Sequence, residues 1–125
     1  MRDIGKHVFA DIYGVAPALL KDEQKLMAIM FQALHQCHFT VINHLSFTFP
    51  GGGCGVTGIF LLSESHAAFH TYPEIPYIAL DIFSCGTADP EEVLALLVEA
   101  LLPERFTKKV ARRGENCRDA VLLHY

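Results

Sequence analysis

Residues 39–49, FTVINHLSFTF, followed by Pro50-Gly51-Gly52-Gly53, change side-chain character at nearly every step. Phe39, Val41, Leu45, Phe47 and Phe49 fall on the odd side, with Thr40, His44, Ser46 and Thr48 among the even positions. A period of two belongs to a β-strand, whose successive side chains point to opposite faces. The proline and glycines then break it. Downstream, Gly55 to Ser63 is β-branched and apolar, and after an interruption near Glu64-Ser65-His66 the chain runs on extended through Tyr72 to Pro73. Tyr77 to Ser84 is a further strand, with Ile78, Leu80 and Ile82 opposite Tyr77, Ala79, Asp81 and Phe83. Upstream, residues 7–13 set Val8, Ala10 and Ile12 against His7, Phe9, Asp11 and Tyr13, and Phe106 to Arg112 reads as a last strand before a polar tail.

Two segments change period. From Ala18 to about Gln36, after Pro17, the residues Leu20, Met27, Met30, Phe31 and Leu34 recur at helical spacing, which predicts one amphipathic helix of about five turns. Asp89-Pro90-Glu91-Glu92 opens a second: Asp89 caps, Pro90 suits the first turn, and Glu92 occupies the acid position of a capping box. Leu94, Leu97 and Leu101 mark its buried stripe, and Pro103 stops it. Short links favour antiparallel neighbours, so the expected fold is α+β: a two-layer sandwich, an antiparallel sheet with two helices on one face.

The 125 residues suit one domain spanning 1–125, 51% hydrophobic with a mean hydropathy of +0.27. A formal charge of −4 and an isoelectric point near 5.9 offer no broad cationic surface, so nucleic acid is not an expected partner. Neither a membrane span nor a secretory leader is read in the chain, and the expected location is cytoplasmic. Cys37, Cys54, Cys85 and Cys117 are widely spaced, with no close pair for zinc or a redox dithiol. A core this small makes a homo-oligomer natural.

Reactive side chains concentrate in Ser63-Glu64-Ser65-His66-Ala67-Ala68-Phe69-His70-Thr71-Tyr72-Pro73-Glu74. His66 and His70 share a strand face but stand roughly 13 Å apart, too far to grip one ion, and His35 and His38 near a helix C-terminus suit its dipole better than a metal. No Gly-x-Ser-x-Gly surrounds Ser65, and Pro50-Gly51-Gly52-Gly53-Cys54-Gly55 lacks the lysine and following helix of a phosphate loop. By residue type alone, the stretch also reads as a polar strand edge.

Gly55-Val56-Thr57-Gly58, LLSESHAAFHTYPE at 61–74 and ALDIFSCG at 79–86 closely resemble the short prokaryotic S-adenosylmethionine decarboxylase proenzymes. The similarity extends over nearly the whole chain, including Gly5-Lys6-His7, Asp11-Ile12-Tyr13-Gly14 and Asp89-Pro90. The resemblance implies self-cleavage between Glu64 and Ser65. The Ser65 hydroxyl attacks the Glu64 carbonyl, the amide becomes an ester, and elimination and hydrolysis leave a β chain of residues 1–64 and an α chain of 65–125. Former Ser65 then carries a pyruvoyl group, which forms a Schiff base with a substrate α-amine and accepts the electrons left by carbon dioxide. No metal is expected.

The same resemblance makes Cys85 the proton donor, gives His70 a part in cleavage and a place against substrate, and makes Thr57 a processing aid. It sets Glu74 against the substrate and an aromatic, Phe49 or Phe47, on adenine. It further implies a homodimer of cleaved αβ protomers whose sites draw residues from both, with a small-molecule substrate. His66, Cys37, Cys54 and Cys117 are read as structural or incidental. The chain departs from the family pattern at Tyr72, usually Trp, and in the Gly51–Gly53 loop, about two residues longer. S-adenosylmethionine is the first expectation for substrate, as the source of an aminopropyl donor for spermidine. The alternatives are arginine or ornithine, which would need a carboxylate such as Asp11, Glu74 or Asp81, and a non-catalytic regulatory paralogue.

Overall fold

The period-two stretches become six strands in a computed structural model that describes residues 4–114. They are β1 (Gly5–Tyr13), β2 (Val41–Thr48), β3 (Val56–Leu62), β4 (Ser65–Tyr72), β5 (Tyr77–Ser84) and β6 (Arg105–Arg113). Every adjacent pair is antiparallel, in the order β2-β3-β4-β5-β1-β6. Cys117 and the polar tail lie outside the described residues.

The helices α1 (Pro17–Leu20), α2 (Glu23–Gln36) and α3 (Pro90–Leu101) cover one face of this sheet. Val8, Ile12, Phe60 and Ile82 from the strands meet Leu20, Leu34, Val93 and Leu94 from the helices in a fully buried core. Burying one such side chain contributes about 1.5–3 kcal/mol, so this contact is what makes the layers adhere. The opposite face carries no covering element among the described residues. Leu45, Phe47, Ile59, Leu61 and Phe9 stand exposed on it, Leu45 at 75%.

The two-layer architecture agrees with the sequence reading, and three local details differ. The expected five-turn helix is broken at Lys21-Asp22, because the Asp22 carboxylate accepts the Lys25 amide and starts α2 afresh. The interruption between the middle strands narrows to a turn at Ser63-Glu64, so His66 lies inside β4. Asp89 caps α3 as expected, through the Glu91 amide at 2.9 Å, while Glu91 holds Lys6 and Lys108, each at 2.7 Å. Finally, the odd residues of 39–49 do not share one face. A bulge between Val41 and Asn43 shifts the parity, leaving Phe39 buried and Val41 on the core while Leu45 and Phe47 turn to the open side.

Membrane spanning by helix is not available to this fold: among the described residues no helix is long and apolar enough.

Candidate active site

The turn between β3 and β4 carries the expected cleavage position. Glu64 has a φ of 60°, a left-handed backbone that a β-carbon disfavours by about 1–3 kcal/mol. Its carbonyl oxygen accepts the Cys85 thiol at 2.5 Å. Ser65 follows as the first residue of β4, buried on the helix side, with its hydroxyl 3.4 Å from the Cys85 amide. Thus a hydroxyl, the adjoining carbonyl and a thiol meet at one end of the sheet. A donor on the carbonyl oxygen is the arrangement that stabilises charge developing there when a nucleophile attacks.

A second group forms farther along the strands. Thr57 of β3 and His70 of β4 are register partners, their Oγ1 and Nδ1 atoms 2.9 Å apart. With Phe49, Gly51, Gly52, Gly55, Thr71, Tyr72 and Glu74 they line an open cavity of about 340 Å³. Glycine is required where this loop folds over: a β-carbon at Gly53, whose φ is 103°, would stand 2.9 Å from Glu74 Oε2. Gly55 presses against the Thr71 carbonyl, where a β-carbon would approach to 2.3 Å. Thr71 is buried, accepting from the Val56 amide and donating to the Leu20 carbonyl, and so ties the cavity floor to α1.

These two groups do not meet within the chain. Ser65 and His70 are five residues apart in β4, which puts them on opposite faces and about 16 Å apart along the strand. Ser65, Glu64 and Cys85 are together; Thr57, His70, Glu74 and Phe49 are together, elsewhere. Gly51, Gly52, Thr71 and Tyr72 join the second group without having been singled out as site residues. The signal for Thr71 was available, since strand parity sets its hydroxyl on the apolar side, where it needs partners.

The remaining candidates fall outside both groups. His66 faces His7 and Asp81, the ring nitrogens and a carboxylate oxygen lying within 4.8 Å of one another. Arg113 donates to His7 Nδ1 at 3.0 Å, which places the ring proton on Nε2, directed at Asp81 at 2.6 Å. With Nδ1 accepting from Arg113 and Nε2 donating to Asp81, both nitrogens of His7 are committed to hydrogen bonds within the protein. His35 stacks on Phe31, and His38 adopts a left-handed φ of 68° past the end of α2. Cys37 is buried there, and its burial pushes the thiol pKa up. Cys54, with φ 61°, sits in the glycine turn and is not among the cavity-lining residues.

A two-layer α+β fold whose strand turn joins a serine to a strained, thiol-contacted carbonyl fits the proenzymes of decarboxylases. Residues 6–114 match the family model described as S-adenosylmethionine decarboxylase, and the chain belongs to that pyruvoyl-dependent family. It is 38% identical over 113 residues to an arginine decarboxylase proenzyme of Pyrobaculum arsenaticum, covering 89% of this chain and 85% of that one. It is 37% identical to an arginine decarboxylase proenzyme of Aeropyrum pernix, covering 90% and 86%. The crystal structure of the adenosylmethionine decarboxylase from Aquifex aeolicus VF5 superposes with a TM-score of 0.82 at 28% identity, covering 91% of this chain and 93% of that one.

Proposed function

We propose that the chain cleaves itself between Glu64 and Ser65 and decarboxylates a cationic α-amino acid at a site shared by two copies. In the first step Ser65 Oγ bonds to the Glu64 carbonyl carbon and the Glu64–Ser65 amide bond breaks, leaving an ester and a free amine. Loss of the Ser65 α-proton expels the Glu64 carboxylate. The remaining enamine tautomerises and exchanges its nitrogen for water, releasing ammonia and leaving a pyruvoyl group on residue 65.

Local geometry supports this sequence. The left-handed Glu64 backbone stores strain that chain opening relieves, and the Cys85 thiol can polarise the carbonyl under attack. The pyruvoyl carbonyl then supplies the electron sink for loss of carbon dioxide. Cys85 stays beside residue 65 and holds a transferable proton at Sγ.

The observation that carries the shared site is the separation of Ser65 and Cys85 from Thr57, His70 and Glu74, together with a sheet face that no element covers among the described residues. Exposed Leu45, Phe47, Ile59 and Leu61 favour burial against a second copy, which would bring one chain's His70 group to the other's residue 65. Supporting S-adenosylmethionine as substrate is Phe49, an aromatic on the wall of a glycine-lined cavity open enough for a flat ring. A second reading, arginine or ornithine, is favoured by the two relatives, which are arginine decarboxylase proenzymes.

The test is mass spectrometry of the purified protein for the two expected chains, with release of labelled carbon dioxide from carboxyl-labelled S-adenosylmethionine, arginine and ornithine in parallel. An intact 125-residue chain, or cleavage elsewhere, would overturn the processing step. Ser65→Ala is expected to fold, remain uncleaved and release nothing.

A further inference from the structure

We propose that Asp11 anchors the distal cation of a basic α-amino acid, arginine or ornithine, whose reacting end lies at His70. The inference rests on the pyruvoyl reading above and names the recognition residue for its second substrate class.

Strand register carries the argument. Thr57, His70, Ala79 and Asp11 are successive pairing partners across β3, β4, β5 and β1, and so form one row across the sheet. All four alternate with buried neighbours, which puts them on the open face. Two strand spacings separate His70 from Asp11, about 10 Å between backbones. Within that row only Ala79 lies between them, and the adjacent same-face position on β4 is Ala68. The row is therefore a trough with a small-residue floor, bounded on one side by the stacked rings of Tyr72 and Tyr77, 5.5 Å apart.

Asp11 is prepared for a cation at the far end. The Tyr77 hydroxyl donates to its Oδ1 at 2.5 Å, which orients the carboxylate and leaves Oδ2 uncommitted by that bond. Among the described residues no lysine, arginine or histidine forms an ion pair with it. Arg105, on the same face, lies over the Tyr13 ring instead, 3.9 Å from its centroid. The other two candidate carboxylates are placed differently: Asp81 is engaged by His7, and Glu74 lies over Gly53 in the cavity beside Phe49. A guanidinium or ammonium on a methylene stem can rest its apolar length on Ala79 and the tyrosine faces while its charge meets Asp11. An adenosyl group would leave His70 in the other direction, toward Phe49.

The experiment compares wild type, Asp11→Asn, Asp11→Glu and Ala79→Val by kcat and KM for carboxyl-labelled arginine and ornithine. Mass spectrometry of the chains and carbonyl titration with a hydrazine run alongside. The expected result is turnover of at least one basic amino acid by wild type. Asp11→Asn should raise its KM by about a hundredfold with the chains cleaved and the carbonyl present, Asp11→Glu should recover part of the loss, and Ala79→Val should raise KM by filling the trough. Processed wild type that releases carbon dioxide from neither amino acid, or a KM unchanged in Asp11→Asn or Ala79→Val, would overturn the assignment. A wild-type chain that never gains a carbonyl removes the pyruvoyl reading itself, an outcome the hydrazine titration reads separately.

Discussion

The Cys85 thiol donates to the carbonyl oxygen of Glu64 at 2.5 Å, across 21 positions of sequence, so the end of β5 touches the peptide expected to break. This contact gives Cys85 work before any substrate arrives. Cys85→Ala is expected to cleave more slowly than wild type, because the donor on the developing oxyanion is gone; loss of one such donor costs about 10²–10³ in rate. After cleavage its turnover should be impaired and its product misprotonated. A time course of chain separation by mass spectrometry, followed by product analysis, checks both. Wild-type rates in both would remove Cys85 from the chemistry.

The distance between Ser65 and His70 leads to a complementation test. Ser65→Ala and His70→Ala are each expected to be inactive alone. In a shared site, a mixed dimer of the two joins intact Ser65 of one chain to intact His70 of the other. Co-expression should therefore restore cleavage of the His70→Ala chain and part of the activity. Absence of any restoration in dimers confirmed by mass would show that the two groups do not serve one centre.

Glu91 predicts an acid-dependent loss of stability. Hydrogen bonds from Lys108 and Lys6 lower its pKa from 4.5 to about 2. A carboxylate held low in the folded state contributes stability above its unfolded value and loses it as pH falls through the folded one. The pairing joins the start of α3 to β1 and β6, yet it is solvent-accessible, so its worth is about 1 kcal/mol or less and salt weakens it. Denaturant unfolding of Glu91→Gln should be easier than that of wild type at neutral pH. The difference should close between pH 4.5 and about 2.

Tyr77 predicts the opposite edge of the pH range. The hydrogen bond to Asp11, then burial, raises its phenol from 10.0 to about 12. Because the neutral form is the one favoured by folding, its contribution is complete below the unfolded value and disappears as pH climbs through about 12. A tyrosinate absorbance step near pH 12 is expected, and Tyr77→Phe should abolish it.

Local chemistry determined much of this protein. The alternation in Tyr77–Ser84 forecast a strand because side chains in an extended chain must point to alternating faces, and Asp89-Pro90 forecast the start of α3 because both residues suit a first turn. Ser65, His70 and Cys85 stood out as candidates because their spacing within a motif survives without coordinates. Parity beyond the bulge was not legible: one extra residue near Ile42 sends Leu45 and Phe47 to the other face, and a bulge depends on a partner strand far along the chain. The row joining His70 to Asp11 was not legible either. It depends on which strands pair and in what register, and that is decided by hydrogen bonds and packing between segments dozens of residues apart, which only the tertiary structure brings together.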